Sequence, residues 1–299
     1  MLPMTKVTRN QPIYVFRLNP NIALRWTSLG ILLFILATAG ISAFYQAIHG
    51  QSWTTGVVAQ PNRIWRAILV FLGFIGIPIG TFIVHELVHG FAFAAFGGSP
   101  RYGIGIKYLL PYAYATSPGK HFSRNAFIVI LLTPLVIIDL ACLVLLAIFP
   151  QATWLGWVVI INTSGAIGDI WMATLLWRCP PSITVEDRTE GMAIYAPVAV
   201  QTQDLPFRTT GSKTFTFWTW LNMSLMVFML LIVISFLLPV VLEIFHVPSF
   251  VVGTDDLWIL RWENNARGFG IVFNLLPLLL VPVIGLLGLL VKSVSNRHQ

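Results

Sequence analysis

Long apolar stretches without a charged residue constrain this chain more than any other feature. A helix that crosses a bilayer needs about 20 mostly apolar residues, and runs of about that length recur along the whole sequence. Where Pro150 and Gln151 interrupt one such run, the sequence indicates the end of one helix and the start of the next. We predict six membrane spans, at 26–47, 64–96, 125–149, 154–177, 216–243 and 268–291.

The composition excludes the common soluble classes of protein. Hydrophobic residues make up 57% of the chain and charged residues only 10%, whereas a soluble domain carries about 25% charged residues. The two cysteines, Cys142 and Cys179, have neither disulfide nor metal-site spacing. The predicted fold is therefore an all-α polytopic membrane bundle of about six transmembrane helices, with a short β-hairpin in the cytoplasmic loop after the second helix.

The predicted spans divide the chain into five segments. The membrane core of four helices would carry any chemistry, because the last two spans contain no interior charge. The segments are a cytoplasmic leader at 1–25, the four-helix core at 26–177, a cytoplasmic loop at 178–215, two further transmembrane helices at 216–291 and a tail at 292–299.

The distribution of Lys and Arg predicts the orientation. Of the 18 basic residues, 14 fall in the leader, in loops 97–124 and 178–213, and in the tail. Short cytoplasmic loops carry such an excess, so we expect both termini to be cytoplasmic, in a prokaryotic plasma membrane. Anionic lipid attracts these residues, which accounts for the net charge of +7 without a nucleic-acid partner.

Three acidic residues lie inside predicted spans, namely Glu86, Asp139 and Asp169. A carboxylate at the centre of a membrane helix costs about 2.5 kcal/mol or more, and such residues usually mark functional sites. These three positions are therefore the first candidates for chemistry.

Residues 85–89 read His-Glu-Leu-Val-His. In a helix, His85 and His89 lie one turn apart on the same face, so that both imidazoles can bind one Zn²⁺ ion. Glu86 points to a neighbouring sector, from which its carboxylate can accept a proton from metal-activated water. The motif predicts a zinc site with Glu86 as the catalytic base.

A catalytic zinc usually has three protein ligands, and depth in the bilayer favours Asp169 as the third. At a rise of 1.5 Å per residue, the two histidines lie about 16 and 10 Å from the cytoplasmic helix end. Asp169 lies at about 12 Å and Asp139 at about 21 Å by the same rule. Asp139 stays open as the alternative.

Polar and small residues precede Asp169 along its predicted helix. Asn162 lies seven residues earlier on the same face, where it could bind a substrate carbonyl, orient the carboxylate or form a hydrogen bond between helices. Gly165 and Gly168 would let a neighbouring helix approach closely. We take Asn162 as a candidate substrate-binding residue.

The loop after the metal helix has a strand pattern. Tyr102, Ile104, Ile106 and Tyr108 alternate with smaller or polar residues, and Pro111 marks the predicted turn. An edge strand beside the metal could capture an extended peptide by strand addition. The aromatic residues could equally anchor the loop at the membrane interface.

Several of these motifs together resemble the zincin peptidases of membranes, a family with a domain of unknown function that is similar in outline to site-2 proteases. The motifs are His-Glu-Leu-Val-His-Gly at 85–90, Gly97-Gly98, the tyrosine-rich hairpin, Thr133-Pro134 and Gly168-Asp169. The resemblance covers about residues 70–200. It departs from site-2 proteases around the aspartate, where Ile-Gly-Asp-Ile replaces their usual Leu-Asp-Gly.

This resemblance implies a zinc metalloendopeptidase that acts within or next to the bilayer. It implies His85 and His89 as ligands, Asp169 as the third ligand and Glu86 as the base. The expected partners are membrane lipid and a transmembrane or membrane-proximal protein substrate. The alternative is a metal-binding membrane scaffold, chaperone or transporter without catalysis, which would not need Glu86.

Overall fold

The computed structural model describes residues 11–53, 64–107, 110–188, 191–201, 205–206, 215–254, 258–265 and 268–273. Its helices are α1 Pro20–His49, α2 Ile64–Ala95, α3 Arg124–Ile148, α4 Trp154–Gly165, α5 Ile167–Trp177 and α6 Phe215–Ile244. Its strands are β1 Tyr14–Phe16, β2 Arg101–Lys107, β3 Leu110–Thr116, β4 Phe122–Ser123, β5 Thr184–Arg188, β6 Gly191–Tyr195, β7 Phe250–Gly253, β8 Trp258–Asn265 and β9 Gly268–Phe273.

The chain divides into two compact units. The first comprises residues 1–53 and 77–210, and the second comprises 54–76 and 211–299. All candidate site residues belong to the first unit, in which α1, α3, α4 and α5 pack together. The second unit contains α6 and the sheet of β7, β8 and β9.

The prediction of about six spans is wrong for the part of the chain that the structure describes. Three helices there are long and apolar enough to cross a membrane: Pro20–His49, Leu72–Ala95 and Arg124–Ile148. The pair α4 and α5 is bent by 45° and could form a fourth span. The sixth predicted span begins with strand β9, and its remaining residues, 274–291, lie outside the described ranges.

The prediction of an all-α bundle is also wrong. Besides the hairpin, the structure contains a four-stranded antiparallel sheet in the order β1-β6-β5-β4 and a three-stranded sheet in the order β7-β8-β9. The missed strands are short and lie in the loops or, for β9, at the start of an apolar run. Apolarity alone does not distinguish a strand from a helix, and β9 is held by its pairing with β8.

The hairpin predicted after the metal helix is present. Strands β2 and β3 pair antiparallel, from Arg101 opposite Thr116 to Lys107 opposite Leu110. The prediction of a turn at Pro111 was wrong, since this residue pairs with Ile106 inside β3. Proline lacks an N–H group and is tolerated in strands at edge positions, which β3 provides in its two-stranded sheet.

Local signals in the sequence set the helix ends. The Asn19 side chain accepts a hydrogen bond from the Ile22 N–H at the start of α1, and Ser123 caps α3 in the same way. Helix α2 ends as predicted at the glycine pair. Gly97 has φ +75°, and the Gly98 N–H donates to the Phe93 carbonyl at 2.8 Å.

Small residues at the α4–α5 break allow two helices to approach it. A Cβ at Gly165 would lie 3.0 Å from Phe82 of α2, and one at Gly168 would lie 3.1 Å from Trp26 of α1. This confirms the predicted close approach. It brings α2, which carries the two histidines, against the segment that leads into Asp169.

Two apolar clusters form the core of the first unit. One includes Phe93, Phe127, Leu176 and Val185, where helices meet the four-stranded sheet. The other joins α1, α3 and α4 through Ile41, Leu146, Leu155 and Ile160. On α3, Pro134 lies one turn from Ile130 of the first cluster and one turn from Ile138 of the second.

Candidate metal centre

Three side chains converge between α2 and α5. The nearest ligand atoms of His85, His89 and Asp169 all lie within 4.8 Å of one another. The Nε2 atoms of His85 and His89 lie 3.1 Å and 3.4 Å from the same Asp169 oxygen, Oδ2. Both histidines are buried, each with 8% of its surface exposed. The geometry thus groups Asp169 with the two histidines.

A backbone carbonyl fixes the orientation of His89. The Nδ1 atom of His89 lies 3.2 Å from the carbonyl oxygen of Ile130 on α3. Because a carbonyl can only accept a hydrogen bond, Nδ1 carries the proton. The Nε2 atom, which faces Asp169, is therefore the one available to bind a metal.

An asparagine fixes the orientation of His85. The Asn162 amide nitrogen donates to Asp139 Oδ1 at 2.8 Å and to the Pro134 carbonyl at 3.2 Å. Its oxygen, Oδ1, must then face His85 Nδ1, 2.8 Å away. An amide oxygen only accepts, so His85 also carries its proton on Nδ1 and presents a lone pair at Nε2.

The donor set fits a zinc ion. Two imidazole lone pairs and a carboxylate oxygen face one another, and three such acceptors repel unless a proton or a cation lies between them. Tetrahedral zinc with bonds of about 2.0–2.1 Å separates its ligand atoms by about 3.3 Å. The observed separations of 3.1 and 3.4 Å bracket that value.

Glu86 lies beside this group and faces the hairpin. Its side chain is partly buried and lies within hydrogen-bonding reach of the Ala115 backbone N–H on β3. The hairpin is also seated directly on α2, because a Cβ at Gly90 would overlap the phenol ring of Tyr102. The predicted base therefore lies between the histidines and strand β3.

Asp139, the alternative third ligand, lies behind the group rather than in it. Its two carboxylate oxygens accept hydrogen bonds from Asn162, at 2.8 Å, and from Thr163 Oγ1, at 2.7 Å. Among the described residues, the candidate cluster contains Asp169 and not Asp139. Asp139 is thus connected to His85 through the buried Asn162, which is 1% exposed.

Asp187, which the sequence predicts only as part of the loop at 178–215, lies in β5 of the four-stranded sheet. Burial, followed by the negative charges of Asp169 and Glu86, raises the pKa of Asp187 to about 8. Its carboxyl group is therefore close enough to the centre to respond to both charges. No motif marks this residue, since its position depends on the pairing of β5 with β4 and β6.

The hydrogen bond between Asn162 and His85 leads to a testable prediction. Asn162→Ala should weaken zinc affinity about 10–100-fold, because groups that orient metal ligands typically contribute that much. Competition with a chelating dye would measure the affinity. Ser164→Ala is the matched control on the same helix, since the Ser164 hydroxyl donates to the Ile161 carbonyl of its own helix at 3.1 Å. Equal affinities in the two variants would contradict this role for Asn162.

Comparison with known proteins supports a metallopeptidase. Residues 78–184 match the model of a family described as "Putative zincin peptidase", which confirms the resemblance over this segment. The match includes both histidines, Glu86, Asp139, Asn162 and Asp169. No curated protein and no solved structure matches the chain.

Proposed function

We propose that this protein is a zinc-dependent membrane metallopeptidase that hydrolyses peptide bonds within or next to the bilayer. The observation that carries this proposal is the convergence of two Nε2 lone pairs and the Asp169 carboxylate beside Glu86. The match to a zincin family and the candidate membrane helices support the reaction class and the setting.

In this proposal, His85, His89 and Asp169 hold the metal. Three protein ligands leave a fourth position open, as in catalytic zinc sites. Bound zinc would supply Lewis acidity, which acidifies water and polarises a peptide carbonyl. The buried, hydrogen-bonded imidazoles keep both Nε2 atoms oriented toward Asp169 Oδ2, with which they would share the metal.

Glu86 is the proton carrier. Its carboxylate accepts a proton from the water whose oxygen bonds to the peptide carbon, and it delivers that proton to the amide nitrogen as the C–N bond breaks. The products are a carboxylate and an amine. The position of Glu86, one residue from His85 on the same helix, keeps it next to the reacting atoms.

Asn162 has a positioning role in this scheme. Its carbonyl oxygen holds His85, and its amide nitrogen donates to Asp139 and to Pro134. These contacts favour orientation of a ligand over direct binding of substrate. Asp139 then acts on His85 indirectly, because it accepts a hydrogen bond from Asn162.

The substrate class follows from the surroundings. A transmembrane helix must be unwound before cleavage, because its carbonyls are otherwise bonded within the helix. Strand β3 belongs to a two-stranded sheet and approaches Glu86, so it supports capture of an extended segment. We propose a transmembrane or membrane-proximal protein substrate, surrounded by membrane lipid, with both termini of the enzyme in the cytoplasm of a prokaryote.

Metal analysis of purified protein tests the ligand set. We expect about one zinc per chain in the wild type and loss of zinc in His85→Ala and Asp169→Ala, each of which removes one of three ligands. Asp139→Asn is the matched control and should retain zinc. Retention in Asp169→Ala together with loss in Asp139→Asn would contradict the assignment and make Asp139 the ligand.

A further inference from the structure

We propose that Pro134 is a positioning residue for the metal-binding imidazole of His89, because it lacks a backbone N–H group and so frees a carbonyl inside the membrane core, and that its own backbone carbonyl helps to hold His85 through Asn162. This inference rests on the proposed metal site. It assigns a function to a residue that touches neither metal nor substrate.

The first connection runs from Pro134 to His89. In a helix, the carbonyl of residue i bonds the N–H of residue i+4. Pro134 occupies the i+4 position relative to Ile130 in α3 and has no N–H to donate. The Ile130 carbonyl is left without its helical partner in a fully buried residue, and His89 Nδ1 occupies it at 3.2 Å.

The second connection runs from Pro134 to His85. The carbonyl of Pro134 itself accepts a hydrogen bond from the Asn162 amide nitrogen at 3.2 Å. This contact, together with Asp139, turns the Asn162 oxygen toward His85 Nδ1. Residue 134 therefore acts on both imidazoles. Its missing N–H leaves the Ile130 carbonyl free for His89, and its own carbonyl binds Asn162, which holds His85.

The two connections have a common chemical result. Each places a proton on Nδ1 and a lone pair on Nε2, the form in which an imidazole binds zinc. A bound metal needs that tautomer on both rings, and hydrogen bonds to the opposite nitrogen are the usual means of selecting it. The helix proline in α3 thus favours the metal-binding tautomer of His89, and the backbone carbonyl of the same residue contributes to that of His85.

Pro134→Ala tests the proposal, because it restores an N–H that can bond the Ile130 carbonyl in competition with His89. We expect zinc affinity to fall about 10–100-fold. In metal-free protein, at a pH where both imidazoles are neutral, ¹⁵N NMR should show His89 moving from the Nδ1–H toward the Nε2–H tautomer. His85 should not change, because the carbonyl at position 134 is kept.

Three further variants complete the test. Asn162→Ala should show the reverse pattern, with a change at His85 and none at His89. Pro239→Ala removes a proline inside α6, whereas the candidate ligands that the structure describes lie on α2 and α5, and it should change neither ring. Pro134→Gly restores the same N–H and replaces Pro134→Ala if that variant does not fold.

Two outcomes would overturn the proposal. Unchanged zinc affinity in Pro134→Ala would show that the freed carbonyl is not needed. Weaker binding with an unchanged His89 tautomer would assign the effect to the backbone geometry of α3 instead. Neither measurement uses a substrate, and the tautomer is read without metal, so failure of the proposed peptidase activity would leave this test intact and distinguishable.

Discussion

Glu86→Gln is expected to lower peptide hydrolysis at least 100-fold while zinc content stays at the wild-type level. An amide of the same shape cannot accept the proton from attacking water, and general base catalysis contributes about 10²–10⁴-fold. Cleavage of a reporter membrane protein in proteoliposomes, followed on gels, would measure the rate. Metal analysis of the same preparation would show whether the site is intact.

Glu243→Gln is the matched control for this experiment, since it makes the same chemical change in α6 and should leave cleavage unchanged. If Glu86→Gln cleaved as fast as the wild type, the peptidase hypothesis would fail. A silent Glu86→Gln together with a disruptive His85→Ala would instead favour a non-catalytic metal-binding protein.

Glu186→Gln should destabilise the protein by about 2–3 kcal/mol at neutral pH. Burial alone would raise the pKa of Glu186, but hydrogen bonds from Arg188, the Gly119 N–H and Tyr195 outweigh it and lower the pKa to about 2. A shift of this size from 4.5 corresponds to about 3 kcal/mol. Glu186 is 6% exposed, but the Arg188 side chain is 39% exposed, so solvent screens part of the ion pair and the expected loss lies below the full value.

The stabilisation from the Glu186 network should decrease as the pH is lowered. Because the folded pKa is lowered, the stabilisation is present above the unfolded value near 4.5 and disappears as the pH falls toward 2. Thermal unfolding in detergent should therefore separate Glu186→Gln from the wild type at pH 7 and much less at pH 3. An equal difference at both values would contradict an electrostatic origin.

Asp187, the neighbour of Glu186, provides a control in which the change of stability with pH has the opposite sign. The pKa of Asp187 is raised to about 8, so its ionisation opposes folding as the pH rises from about 4 toward 8. In metal-stripped protein, Asp187→Asn should leave the unfolding temperature unchanged at pH 4 and raise it at pH 8. A lower unfolding temperature of Asp187→Asn at pH 8 would show that the Asp187 carboxylate is stabilised by a contact that the structure does not contain.

Short-range spacing made part of the site predictable. The interval between His85 and His89 equals about one helical turn, so their grouping followed from helix geometry alone. Asp169 followed from the rise per residue and its cost in lipid. These arguments need only the axis of each helix, which the apolar runs of the sequence supply.

The contacts of Asn162 required more than helix axes. Its partners lie on α2 and α3, and their identity depends on how each helix is rotated about its own axis. The sequence contains no signal for that rotation. The Ile130 carbonyl is a sharper case, because its availability follows from Pro134 but its use by His89 depends on tertiary packing.

The missed sheets have a different cause. For the loop at 178–215 the sequence indicated at most a small strand or two, because strands β5 and β6 are only five residues each and alternation over so few positions is weak evidence. The run from 268 was read as a helix because it has no charge, yet its first residues pair with β8. Counting apolar residues indicates burial or lipid contact. Whether an apolar run forms a helix or a strand depends on the segments available to pair with it.

The 45° break between α4 and α5 has a consequence for the solvent. Backbone groups at an interrupted helix lose their regular partners, and hydrocarbon tolerates them only where protein or water covers them. The interruption falls three residues before Asp169 and opposite the buried imidazoles. The turn of chain that leads into this carboxylate therefore requires protein or water around it and is a poor neighbour for acyl chains.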